Sequence, residues 1–97
     1  MRSSETKRVH LRVFGTVQGV YFRASTREKA LELGVVGWVR NRRDGSVEVV
    51  AEGAGPALEA LCAWAAVGPE LASVDHIDRD DSAPVGLSAD FVIRPSV

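Results

Sequence analysis

The hydrophobic period of this chain switches twice from two residues to three and four, and each switch passes through glycine. From Val9 to Phe14 the apolar Val9, Leu11 and Val13 alternate with His10 and Arg12, the pattern of a strand with one buried face. Gly15 and Gly19 bracket a turn, after which Phe22, Thr26, Ala30 and Leu33 fall along one face of a helix that Gly34 can end. The run Val35 to Asn41 and the turn pair Asp44-Gly45 then lead into Val47, Val49 and Ala51, which alternate with Glu48, Val50 and Glu52, so a hairpin is expected. Pro56 suits the first turn of a second helix, with Leu58, Leu61, Cys62 and Ala65 as its stripe and Gly68-Pro69 as its stop. Short strands are expected around Val74 to Asp78 and Asp90 to Arg94.

The order is strand, helix, strand, strand, helix, strand, with an additional C-terminal edge strand. Two helices can cover only one face of a four- or five-stranded sheet. The expected fold is therefore an α+β, ferredoxin-like two-layer sandwich, βαββαβ plus the edge strand, with both helices on one face of a mainly antiparallel sheet. The other face should be solvated and polar, a role that His10, Arg12, Glu48 and Glu52 suit. A right-handed crossover makes the first two strands parallel, so Gly15 and Asn41 should reach the same sheet edge. With the hairpin partner between them, their backbones would stand roughly 10 Å apart, two strand spacings.

A chain of 97 residues has room for one core, and residues 8–97 are expected to form a single domain behind a mobile tail, residues 1–7. The net charge of -1 offers no excess of cations for a polyanion, so no nucleic-acid partner is expected. No apolar run is long enough to span a bilayer, and no membrane partner is expected either. Cys62 is the only cysteine, which excludes an internal disulfide and fits a reducing, cytoplasmic location; size and polar composition favour a monomer.

Residues Gly15 to Arg23 read GTVQGVYFR and deliver the chain from a strand into a helix. The first amides of a helix lack intrahelical acceptors, and its aligned peptide dipoles place positive charge there, so such a junction favours anions. Gly19 lets the backbone approach a tetrahedral oxyanion, and Arg23, in the first turn, can grip two of its oxygens with a planar fork. Taken alone, glycines at a strand-helix junction more often serve only the turn, and Asn41 before a hairpin is more often a turn former.

Both segments, however, resemble the signatures of the acylphosphatase family: GTVQGVYFR is similar to its first, and Gly37 to Gly53, GWVRNRRDGSVEVVAEG, to its second. The similarity runs on through Trp64, Gly68-Pro69 and Phe91 to Arg94. The resemblance implies a hydrolase that splits the carboxyl-phosphate anhydride of acyl phosphates into carboxylate and inorganic phosphate, using no metal and no cofactor. It implies that Arg23 binds the phosphate, that Asn41 orients the attacking water, and that the backbone of Gln18, Gly19, Val20, Tyr21, Phe22 and Arg23 forms the phosphate-binding loop. It also implies the ferredoxin-like fold that the element order suggests independently.

Several other residues carry weaker signals. Arg40, Arg42 and Arg43 read either as a solvated turn or as a cluster that attracts anionic substrate. His10 and His76 lack ligand-spaced companions, and Asp75, Asp78, Asp80 and Asp81 lack the spacing of a calcium loop, so they read as a solvated acidic connection. Cys62 is expected in the core, and Trp38 and Trp64 at its edges, with a substrate contact for Trp38 left open. Two rival functions remain. A sheet of this kind can read single-stranded RNA, although a face bearing Glu48 and Glu52 argues against it. The other rival is a non-catalytic anion-binding module, or a relative of the acylphosphatase-like domains that handle carbamoyl phosphate in larger maturation enzymes; a chain stopping just after its last strand favours the free-standing hydrolase.

Overall fold

Strand β1 (Thr6–Thr16) leads into helix α1 (Phe22–Leu33), then β2 (Val36–Asn41), β3 (Val47–Ala54), helix α2 (Gly55–Ala65), β4 (Ser73–Ser82) and β5 (Phe91–Ile93). The computed structural model describes residues 5–86 and 89–97; residues 1–4 of the expected tail lie outside the described residues. Strand β1 starts earlier than the alternation indicates, so Thr6 and Lys7 are not tail but pair with Ala54 and Gly53.

The sheet order is β4-β1-β3-β2-β5. Neighbours are antiparallel except β2 and β5, where Gly37, Trp38 and Val39 run parallel to Phe91, Val92 and Ile93. This is the expected ferredoxin-like α+β sandwich, and β5 is the additional edge strand. One face buries Val9, Leu11, Val13, Val47, Val49 and Ala51 against Phe22, Ala30, Leu58, Leu61 and Ala65 of the two helices. Gly34 caps α1 in the left-handed region, and Pro56 occupies the first turn of α2. Among the described residues, no helix is long and apolar enough to cross a membrane.

The opposite face is polar but not simply solvated, which corrects the expectation for Glu48 and Glu52. Strand β3 is central, and both carboxylates are buried, at 7% and 3% exposure. Longer side chains from the flanking strands lie over them. Glu48 Oε1 accepts from Arg40 Nε at 2.8 Å and Arg42 Nη1 at 2.9 Å, while His10 Nε2 stands 2.6 Å from Oε2. Glu52 accepts from Arg8 at 3.3 Å and from the backbone amides of Val85 at 2.6 Å and Gly86 at 3.2 Å. Those amides belong to the link that carries the chain from β4 at one edge of the sheet to β5 at the other, so Glu52 fastens that crossing. Trp38 also lies on this face, not at the edge of the helix-side core, with the guanidinium carbons of Arg40 and Arg94 each 4.7 Å from its ring centroid. Trp64 packs on Phe22 with ring centroids 5.5 Å apart, at the rim of the core as expected.

The strand expected around Val74 to Asp78 is present and extends to Ser82, so the acidic run lies on an edge strand and not in a connection. Asp78 pairs with His76 and Asp81 with Arg79 along β4. Charge along an open edge discourages pairing with another chain, which explains why a sequence of low β-propensity is placed there.

Burial alone would raise the Glu48 carboxyl, but hydrogen bonds from His10, Arg40 and Arg42 outweigh it and hold the pKa down at about 2, from an ordinary 4.5. A carboxyl depressed on folding stabilises the native state above its unfolded pKa and ceases to do so as pH falls through its folded value. Stability should therefore decline as pH falls from about 4.5 towards 2. Urea denaturation at stepped pH checks this: Glu48→Gln should be less stable at neutral pH and should lose less stability across that window, and an unchanged acid dependence would contradict it.

Candidate active site

Strands β1 and β2 are both antiparallel to β3, hence parallel to each other, and Val13 and Asn41 share the partner Val47. The expected geometry is met: the segment after β1 and the end of β2 emerge at one edge with β3 between them. The β1–β4 ladder is bulged beside Phe14 and Gly15, where Asp75 of β4 is the extra residue. Gly15 has φ 133°, and a Cβ there would collide with the Ser73 carbonyl oxygen, so a glycine is required at the bend.

The loop that follows is held from beneath and from one side. Val17 is buried and Val20 packs against the core. The Gln18 carboxamide donates to the carbonyls of Arg42 at 2.7 Å and Ser46 at 2.9 Å, tying the loop to the β2–β3 turn. The same turn is closed by Arg42 N–H to the Ser46 carbonyl at 2.8 Å and by Asp44, whose carboxylate accepts from the Ser46 hydroxyl at 2.6 Å and the Ser46 amide at 3.0 Å. Those two bonds, reinforced by Arg12, hold the Asp44 carboxyl at about 2. Sequence reasoning assigns Gln18 only a backbone role; its side chain proves to be the strut between the two halves of the site. An amide donor within a glycine turn is the signal that hinted at it.

Helix α1 starts with no side-chain cap and no acidic residue in its first turn. Its first bond runs from Ser25 N–H to the Tyr21 carbonyl at 3.0 Å, and among the described residues the amides of Gly19 to Ala24 donate to no protein acceptor. Gly19 has φ 75°, and a Cβ there would meet no protein atom within 4 Å, so the space beside it is open. Arg23 is half-buried. While Arg8, Arg12, Arg27, Arg40, Arg42 and Arg79 each donate to a protein acceptor, Arg23 has no such partner among the described residues.

Gly19, Tyr21, Phe22 and Arg23 line a hollow of about 420 Å3 with Val17, Ala24 and Ile93. Of the loop residues singled out in the sequence, Gln18 and Val20 are turned elsewhere and do not line it. Asn41 is not in the lining either. It stands two positions beyond Val39, the residue paired with Ile93 at the wall. Its Oδ1 is buried with no protein partner, and its backbone carbonyl accepts from Val97 N–H at 3.1 Å. Arg40 and Arg42, on either side of Asn41, are both bound to Glu48. They are therefore not a free solvated turn, and one carboxylate balances only one of the two charges. The Ile93 wall and the Val97 contact went unread in the sequence, because both depend on where β5 docks.

Unpaired N–H groups, the positive end of a helix and an uncommitted guanidinium make the hollow complementary to an oxyanion. Among the described residues, no group of three His, Cys, Asp or Glu side chains converges as a metal site. Cys62 is half-buried on α2, away from the hollow, and burial pushes its thiol above the ordinary value.

A family model described as Acylphosphatase matches residues 9–93. An acylphosphatase of Marinobacter nauticus is 60% identical over 87% of this chain and 91% of its own length. One from Methylococcus capsulatus is 51% identical over 94% of this chain and 99% of its own. The solved structure of an acylphosphatase from Coxiella burnetii superposes with a TM-score of 0.87 at 39% identity, covering 93% of this chain and 94% of that one.

Removing the Gln18 strut should loosen the turn without touching the core. Gln18→Ala is expected to lower stability by about 1–2 kcal/mol, the worth of two hydrogen bonds, and to speed amide hydrogen exchange at Gly45 and Ser46 more than in β1. Uniform exchange across both regions would show that the strut does not hold the turn.

Proposed function

Since this chain belongs to the acylphosphatase family and is a hydrolase of acyl phosphates, we propose that Arg23 and the loop amides hold the phosphoryl group while Asn41 orients the attacking water. The observation that carries this reading is the guanidinium left without a protein partner beside an uncapped helix start. Each charge-assisted hydrogen bond there contributes about 1.5–3 kcal/mol. Together they favour a dianion and stabilise the charge that shifts across its oxygens during transfer.

The substrate is already activated, because its leaving group is a carboxylate of low basicity that departs with little or no protonation. What remains is to place water in line with the departing oxygen. The Asn41 Oδ1, a buried acceptor without a protein partner, suits that role, since left unpaired it costs about 1–3 kcal/mol, which a bound water would relieve. A carboxamide is a poor base, so its contribution is orientation. The water proton passes to the substrate phosphate as the carboxylate leaves. Because guanidinium and amides neutralise the phosphoryl charge, the reaction needs no metal. The charged β4 edge supports a monomer, and the free Cys62 thiol suits a reducing cytoplasm, where the enzyme acts without nucleic acid or membrane.

Arg23→Lys keeps the charge but loses the fork, and turnover of benzoyl phosphate should fall by about tenfold or more. Near-normal turnover would remove Arg23 from the mechanism. Asn41→Ala should lower turnover roughly 100- to 1000-fold, as for the loss of one preorganised donor, with inhibition by inorganic phosphate retained; loss of that inhibition would make Asn41 an anchor for phosphate instead. Both assays are run with a chelator, so abolished wild-type activity would overturn the metal-free reading.

A further inference from the structure

The hollow beside Arg23 is lined by groups of two chemical kinds: the polar Arg23 and the backbone of Gly19, and the apolar Val17, Phe22, Ala24 and Ile93 together with Tyr21. Val17 and Phe22 are each only 1% exposed and belong to the core. Tyr21 and Ile93 are not core residues: they stand 74% and 43% exposed. At about 420 Å3 the hollow lies within the roughly 300–1,000 Å3 usual for sites that take a whole small molecule, and so has room beyond a phosphoryl group.

Tyr21 is held at a cost that its contacts do not explain. Its φ of 65° makes it the one non-glycine residue with positive φ among those described. A side chain in the left-handed region is disfavoured, and glycine or asparagine usually fills such a place. The neighbouring turn position, residue 19, is indeed glycine, with φ 75°. Burial does not explain the tyrosine, because the ring is mostly exposed, and it makes no side-chain hydrogen bond among the described residues. A strained conformation kept at a site entrance points to a ligand as its reason.

We propose that Tyr21 and Ile93 form the acyl subsite, and that it selects acyl phosphates with an aromatic or bulky aliphatic acyl group over acetyl phosphate. The proposal rests on the reading that Arg23 and the loop amides bind the phosphoryl group. With the phosphoryl group held there, the acyl chain is left to lie against the apolar residues of the lining. It then covers an exposed aromatic ring and a β-branched side chain from a different element. A planar benzoyl group can stack on the ring, whereas an acetyl group reaches little of either surface.

The test begins with the wild-type protein and non-hydrolysable analogues. Benzoylphosphonate should inhibit at least about tenfold more tightly than acetylphosphonate, the order of discrimination an apolar pocket gives; equal inhibition constants would overturn the subsite. Variants locate it. Benzoyl and acetyl phosphate differ in intrinsic reactivity, so the readout is the ratio of their kcat/KM values. That ratio should fall about fivefold or more in Tyr21→Asn, which tolerates the backbone conformation but lacks the ring, and in Ile93→Thr, which keeps the branched shape. It should return in Tyr21→Phe. A ratio unmoved in both Tyr21→Asn and Ile93→Thr would overturn the assignment. Hydrolysis of neither substrate by the wild-type protein would instead overturn the underlying reading of the site.

Discussion

A strand covered on both faces can carry charge only where that charge is paired, and β3 carries two buried carboxylates. Glu48 is neutralised by Arg40 and Arg42, from one neighbouring strand and the turn after it, and is hydrogen-bonded to His10 from the other strand. Glu52 takes Arg8 and the link that crosses to β5. Burying an ion is costly, and only a full set of partners offsets the loss of water. The consequence is register: a slip of β1 or β2 against β3 by one residue would leave these carboxylates unpaired in the interior. The polar face therefore specifies the alignment of the sheet as firmly as the apolar face drives its formation.

That alignment decides where the chemistry sits. With β1 and β2 in register on either side of β3, the GTVQGVYFR loop and Asn41 emerge at one edge with β3 between them. The ion pairs of Arg40 and Arg42 hold the backbone on both sides of Asn41, and the Gln18 strut joins the same turn to the loop. Groups committed to protein partners surround a few that are not: the Arg23 guanidinium, the amides at the start of α1 and the Asn41 carboxamide oxygen. A site built in this way spends little reorganisation on a ligand, because the donors already lack any other acceptor.

How much of this was legible depended on the range of the interaction concerned. The two-residue alternation of Val9, Leu11 and Val13, the stripe of Phe22, Thr26 and Ala30, and Gly34 as a cap are local, and the fold follows them closely. Glu48 and Glu52 were readable as outward-facing but not as buried, because outward on a central strand depends on the length of side chains from the strands beside it. Strand β4 was underestimated, since its acidic sequence has weak intrinsic preference and β1 supplies the ladder it joins. The site residues divided likewise: Arg23 and Asn41 stand out by motif, whereas the turn of the Gln18 side chain away from the hollow and the arrival of Ile93 at its wall do not.

Period, turn chemistry and motif spacing are properties of neighbouring residues, so the order of elements, the glycine bends and membership of the family can be read along the chain. Tertiary structure alone decided which charges are buried and paired, which amide braces the loop, and which side chains stay free to meet a ligand. The bonds in question join Gln18 to Arg42, His10 to Glu48 and Glu52 to Val85, across 24, 38 and 33 residues. No local propensity encodes contacts at such separations; they exist only once strand order and register have brought the partners within reach.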